Sequence, residues 1–157
     1  MQLPVPLRLN CSCCLWRLEL ESVCHENADV IIVLDQSTSV VADGYENWFT
    51  RMLGFACDIT RLHDVGPNDT QIGLLKFSDE IEIGFHLNEH ADKTSVIGAI
   101  LQQDILGGDT NIAEALKQTR DMFSPSHGAR AGTSKLVFLV TDGMNCLWLL
   151  FYSKEGN

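Results

Sequence analysis

The chain has 157 residues, 45% hydrophobic and 20% charged, with a formal net charge of −10. That length supports one domain with a real core and is short for two, and the composition is that of a globular protein. The acidic balance argues against a nucleic-acid partner, because nothing here neutralises phosphates, and no apolar run approaches the roughly 20 residues that a membrane helix needs.

Residues 1–27 are poorly patterned and read as a leader of unclear nature. A secretory signal wants a basic start, an uninterrupted apolar centre and a small-residue cleavage site. Arg8 supplies the first weakly, while Arg17 and Glu19 interrupt the second. A disordered leader and a faulty gene start are the alternatives. Cys11, Cys13, Cys14, Cys24, Cys57 and Cys146 match no zinc spacing with a second ligand pair. Two glycosylation sequons, Asn10-Cys11-Ser12 and Asn68-Asp69-Thr70, permit secretion without establishing it.

Val30 to Leu34 is a short, unbroken aliphatic run rich in β-branched residues, and it predicts a strand from Asp29 to Leu34 buried on both faces of a sheet. It ends abruptly in Asp35, Ser37 and Ser39. In open α/β sheets, ligands sit outside the carboxyl ends of the strands. Alternate spacing in a loosely turning loop can bring three oxygens towards one point. Carboxylate and hydroxyl oxygens without thiolate or imidazole suit a hard cation such as Mg²⁺. A capped strand end followed by a polar turn explains the same residues equally well.

After the break at Asp43-Gly44, Tyr45 to Leu62 follows helical spacing. Tyr45, Trp48, Phe49, Met52, Leu53, Ala56, Ile59 and Leu62 form its apolar face. Glu46, Arg51, Asp58 and Arg61 form its solvated one, and Cys57 is expected as a buried free thiol. A turn cluster over Val65 to Asp69 leads into a strand from Gln71 to Phe77. Ser78-Asp79-Glu80 is too short for anything but a hairpin. Ile81 to Phe85 alternates, as a half-exposed antiparallel edge strand does. Asp79, Glu80 and Glu82 read as charges that block edge pairing, not as ligands.

Asp92 to Gln103 predicts a shorter helix with Val96, Ile97, Ile100 and Leu101 inward. Gly107-Gly108 allows a tight loop. Asn111 and Glu114 resemble a capping box that opens a further helix, with Ile112, Leu116 and Phe123 on its apolar side. Thr110 then sits at that helix's start, its hydroxyl free to point outward. Pro125 to Gly132 is loop. Leu136 to Val140 is a second fully apolar strand, and it too ends in a polar switch, Thr141-Asp142-Gly143. If the two apolar strands are neighbours, Asp35 and Asp142 lie within reach of one ion.

Asp35-x-Ser37-x-Ser39, Thr110 in a glycine-led loop and Asp142 before Gly143 resemble the five-residue metal-ion-dependent adhesion site of von Willebrand factor type A domains. Ala28-Asp29-Val30, Val65-Gly66-Pro67 and Ala115-Leu116 agree with that family. The flavour is that of its extracellular matrix group, such as matrilins and collagen VI-type chains. The resemblance implies a Rossmann-like, mostly parallel sheet with helices on both faces and one antiparallel edge strand. It implies Mg²⁺ (or Mn²⁺) held by Asp35, Ser37, Ser39, Thr110 and Asp142. It also implies an open coordination position for an acidic side chain of a protein partner. The family often has a second threonine and a glycine where this chain has Ile112 and Ala115.

On this basis residues 28–143 form a partial domain of that type, and residues 144–157 are a tail outside the family pattern. The last strand–helix units are then missing, so Leu136–Val140 is expected to expose an edge; Leu147 to Tyr152 is the candidate surrogate strand. The implied setting is extracellular, with an intracellular scaffold module of the same superfamily, or a non-functional fragment, as alternatives. A hydrolase with Asp35 as nucleophile is disfavoured. Ser37 stands where a second acid belongs, no lysine is assigned near a strand end to neutralise phosphate, and Lys135 lies at the wrong end of its strand. His25, His63, His86, His90 and His127 have no triad partner legible in the sequence. The expected role is binding, not catalysis.

Overall fold

The computed structural model describes residues 27–38, 46–141 and 148–153, the last six and residues 46–48 as backbone alone. Ser39, Asp142, Asn10, the leader before Asn27 and every cysteine except Cys57 lie outside the described residues.

The elements run β1 (Ala28–Asp35), α1 (Glu46–Leu62), β2 (Gln71–Phe77), β3 (Ile81–Phe85), α2 (Lys93–Leu101), α3 (Ile112–Met122), β4 (Ser134–Val140) and β5 (Trp148–Ser153). One 3₁₀ turn, Pro125–His127, lies between α3 and β4. The sheet order is β3-β2-β1-β4-β5. β1 runs parallel to β2 and to β4, with Asp35 opposite Phe77 and Leu34 opposite Val140. β3 and β5 close the two edges antiparallel.

Here the structure corrects the expected single antiparallel edge and the exposed edge at β4. Leu136 pairs with Tyr152 and Leu139 with Trp148. An open strand edge is a row of unpaired N–H and C=O groups. The bulky aromatic run Trp148-Leu149-Leu150-Phe151-Tyr152 has the composition that fits such a pleated surface.

β1 is wholly buried because each of its faces meets helices. Val30, Ile32 and Leu34 pack with Phe49, Met52, Leu53 and Ala56 of α1 and with Val96 and Ile100 of α2. Ile31 and Val33 point the other way, to Ala115 and Met122 of α3. Full burial of each of these aliphatic side chains is worth roughly 1.5–3 kcal/mol. Cys57 is buried and free, and burial pushes its thiol pKa up, which leaves it inert.

The predicted helix faces need three corrections. Leu62 and Leu101, the last residues of α1 and α2, are 45% and 58% exposed. At a helix end the chain leaves the sheet, and periodicity alone does not register that. The buried stripe of α3 is Ala115, Thr119 and Met122, with Ile112 exposed. Small side chains let this helix lie close to the sheet, and the Thr119 hydroxyl is satisfied by the Ala115 carbonyl at 2.7 Å.

At the amino end of β1, the buried Asp29 carboxylate ties four segments together. It accepts the Arg130 backbone N–H at 2.7 Å and Nε at 2.8 Å, and it pairs with Lys135 Nζ at 3.3 Å. Arg130 also donates to the carbonyls of Ala28 at 3.0 Å and Pro67 at 3.2 Å. Replacing Asp29 by Asn should leave two cations facing a buried neutral group and cost about 3 kcal/mol. Urea unfolding of the variant measures this; a loss of a few tenths would mean that the cluster is only a surface pair.

Candidate metal centre

β1 and β4 end side by side, and their register sets the site. Asp35 is the last residue of β1 and is buried. Its Oδ1 accepts the Ser37 backbone N–H at 2.8 Å, the local turn that an aspartate makes when its side chain bonds two residues on. Its Oδ2 accepts the Thr141 hydroxyl at 2.6 Å. Thr141 follows the last residue of β4, and parallel pairing of Leu34 with Val140 brings it opposite Asp35. A carboxylate has about four lone-pair sites, so two accepted bonds leave each oxygen room for a further partner.

Three more loops close on this point. The Gln36 N–H donates to the Phe77 carbonyl at 2.8 Å, which carries the β1–β2 ladder one residue beyond the strand. The Thr38 N–H donates to the Gly108 carbonyl at 2.7 Å, and the Gly108 N–H donates back to Thr38 Oγ1 at 2.8 Å. The Asn111 N–H donates to the Ser78 carbonyl at 2.8 Å. The serine loop, the β2–β3 turn and the glycine loop are thus knitted together by backbone bonds. Gly107 and Gly108 have φ of 78° and 118°, and a Cβ on Gly108 would strike the Asp79 carboxylate. Glycine is required there on both counts.

Thr110 is exposed and stands directly before Asn111, the N-cap of α3. The capping box is half formed. Asn111 Oδ1 accepts the Glu114 N–H at 3.1 Å, but the Glu114 carboxylate turns to Gln118 at 3.0 Å instead of reaching back. The Asn111 N–H is already taken by Ser78. Of the five expected site residues, Asp35 and Ser37 lie together and buried, and the loop carrying Thr110 is bonded to the residue after Ser37. Ser39 and Asp142 fall outside the described residues.

One charged residue was missed in the sequence. Lys76, the penultimate residue of β2, is a lysine near a strand end, contrary to the assignment above, and it is fully buried. Its ammonium donates to the Asp104 carbonyl at 3.0 Å and pairs with Asp104 Oδ1 at 3.3 Å and Glu82 Oε2 at 3.1 Å. The hydrogen bond from Lys76 holds the Asp104 carboxyl below its ordinary range. This charge anchors the loop between α2 and Thr110 to the sheet. Among the described residues no three His, Cys, Asp or Glu side chains converge. A cation at Asp35 would therefore draw on hydroxyls as well as carboxylates. Such an all-oxygen set fits a hard divalent ion and is a poor match for one that prefers sulfur.

The sequence profile of the von Willebrand factor type A domain matches residues 29–146. The human collagen alpha-6(VI) chain is 33% identical over 120 residues, 75% of this chain and 5% of that one. Integrin alpha-2 of Bos taurus is 32% identical over 123 residues, 76% of this chain and 10% of that one. The chain thus spans a small part of the length of these relatives. A solved structure of proximal thread matrix protein 1 from the mussel byssus, with a zinc-occupied metal-ion-dependent adhesion site motif, is similar over 80% of this chain and 33% of that one. Its TM-score is 0.72 at 29% identity. With that profile matching most of its length and a relative 33% identical over 75% of it, the chain belongs to the von Willebrand factor type A family.

Proposed function

We propose that this domain, placed at residues 28–143, binds another protein through a divalent cation. Asp35 and Asp142 would supply carboxylate oxygens, directly or through water, and Ser37, Ser39 and Thr110 hydroxyl oxygens. Mg²⁺ is the ion this donor set favours, with Mn²⁺ as alternative. The observation that carries the reading is the Asp35 carboxylate. It is buried at the end of a central strand, oriented by Ser37 and Thr141, and each oxygen retains capacity for another partner. The zinc in the mussel protein's corresponding motif, at 29% identity, supports a divalent ion.

Two anionic protein groups only balance the ion's charge, and the hydroxyls add none. An Asp or Glu side chain of a partner is then a favourable further ligand. That outcome is binding rather than catalysis, and the adhesive relatives support it. The matrix and integrin relatives support an extracellular, adhesive setting.

Saturating Mg²⁺ at about 100 times its dissociation constant should raise stability by about 2.7 kcal/mol. Asp35→Asn keeps the Ser37 bond and should lose that gain; a thermal melt with and without EDTA reads both. An equal gain in the variant would contradict the ligand set. Compartment has its own test. Asn68 is exposed within its sequon. Protein secreted from animal cells should drop in mass on treatment with a peptide N-glycosidase, and Asn68→Gln should abolish the drop. A chain found unglycosylated and retained in the cytosol would favour the intracellular scaffold reading.

A further inference from the structure

Where α1 ends, the apolar residue turns out and the polar one turns in. Leu62 is 45% exposed, whereas His63 is 4% exposed. The His63 N–H donates to the Thr60 carbonyl at 3.3 Å, which closes the last turn of the helix. The chain then doubles back. The Thr70 N–H donates to the Asp64 carbonyl at 2.9 Å, and the Gly66 N–H to the Thr70 carbonyl at 3.1 Å. β2 starts at Gln71, opposite Asp29, so this turn lies at the amino ends of the strands, away from Asp35. Lys93, the first residue of α2, reaches across to the Arg61 carbonyl at 3.3 Å. His63 is thus enclosed at the seam where α1 ends and α2 begins.

His63 Nδ1 is shut off from water and has no hydrogen-bond partner. In a neutral imidazole it can stay a bare acceptor, with the proton on Nε2. In an imidazolium both nitrogens carry protons, so one must sit on Nδ1, where nothing accepts it. A buried donor left unpaired is costly. The surrounding charges do not repair this. From α2, Lys93 brings a second cation, and Asp92, its N-cap, is engaged by the Ser95 N–H at 2.9 Å. From α1, the Arg61 guanidinium is taken up by Asp58 at 2.7 Å. Asp64 favours the charged ring, but its side chain is 98% exposed and lies 4.0 Å from Lys93. Water screens so exposed a charge. Burial first, and Lys93 second, therefore hold the imidazole below its ordinary pKa, against a smaller pull from Asp64. We propose that His63 is an acid-sensitive latch on the α1–α2 seam: uncharged it keeps the seam closed, and charged it opens it. An opened chain takes up the proton near pH 6.5, the ordinary value, and the closed one only at lower pH. The stability contributed by the buried ring is full above about pH 6.5 and is lost as pH falls from there through the closed-state value. The segments released are the turn into β2 and the first turn of α2, without any part for the metal centre.

The test uses the full chain, isotope-labelled, in EDTA. The His63 ring resonance, identified by its loss in His63→Phe, should titrate with a midpoint below the ordinary value of about 6.5. Hydrogen exchange is then followed at the Gly66, Thr70 and Val96 amides, each of which is hydrogen-bonded at the seam. After correction for the chemical effect of pH, exchange in the wild type should speed up about fivefold between pH 7 and pH 5.5. One proton sets a limit of about tenfold per pH unit. His63→Phe keeps a ring that cannot take the proton and should show no such acceleration, while the other histidines are common to both proteins. Lys93→Met leaves the His63 ring in place and should move its midpoint up towards 6.5, a reading that does not depend on the phenylalanine variant folding. A wild-type His63 midpoint at or above 6.5, or equal acceleration in both proteins, overturns the latch.

Discussion

Parallel pairing of β1 with β4 is the constraint on which the rest of the site depends. It puts Thr141 opposite Asp35, and the 2.6 Å bond between them fixes one oxygen of a buried carboxylate. The Ser37 N–H fixes the other. A charged group out of water needs such partners. The same bonds orient it, so stability and site geometry come from one arrangement. The aliphatic residues of β1 make this affordable, because they bury against helices on both faces and hold the strand end rigid.

The two ends of β1 divide the work. At the amino end, Asp29 is saturated: an arginine and a lysine neutralise it, and its bonds link turns that no single element spans. At the carboxyl end, Asp35 accepts from neutral donors, and neither recorded partner carries a positive charge. Asp29 serves the fold, whereas Asp35 is the carboxylate proposed to face a cation. Lys76 shows the same economy. Its amine is taken up by Glu82 and Asp104, which steadies the loop ahead of Thr110 without placing a positive charge on Asp35.

Much of this was legible in the sequence because the relevant signals are local. An unbroken β-branched run closing on Asp-x-Ser reads directly as a buried strand with its polar groups at the ligand end. Gly107-Gly108 reads as a loop that only glycine permits, and its two positive φ angles bear that out. What failed was non-local. Lys76 sits in an apolar run, and its burial makes sense only once β3 and the loop after α2 bring Glu82 and Asp104 to it. The true stripe of α3 was hidden because Ala115 and Thr119 are small or polar and Ile112 is the eye-catching residue. β5, by contrast, is the surrogate strand expected over Leu147 to Tyr152, and the open edge of β4 gives it its place. The orphaned Nδ1 of His63 has no counterpart in any motif and becomes visible only when α2 and the turn into β2 are in position.

The central claim is that oxygens from separate loops surround one divalent ion beside Asp35. Anomalous diffraction from crystals grown with Mn²⁺ tests it most directly. The account predicts a single strong peak about 2.1 Å from the Ser37 hydroxyl and next to the Asp35 carboxylate, with Ser39, Thr110 and Asp142 around it. A peak at Asp79 and Glu80, with none at Asp35, would contradict it.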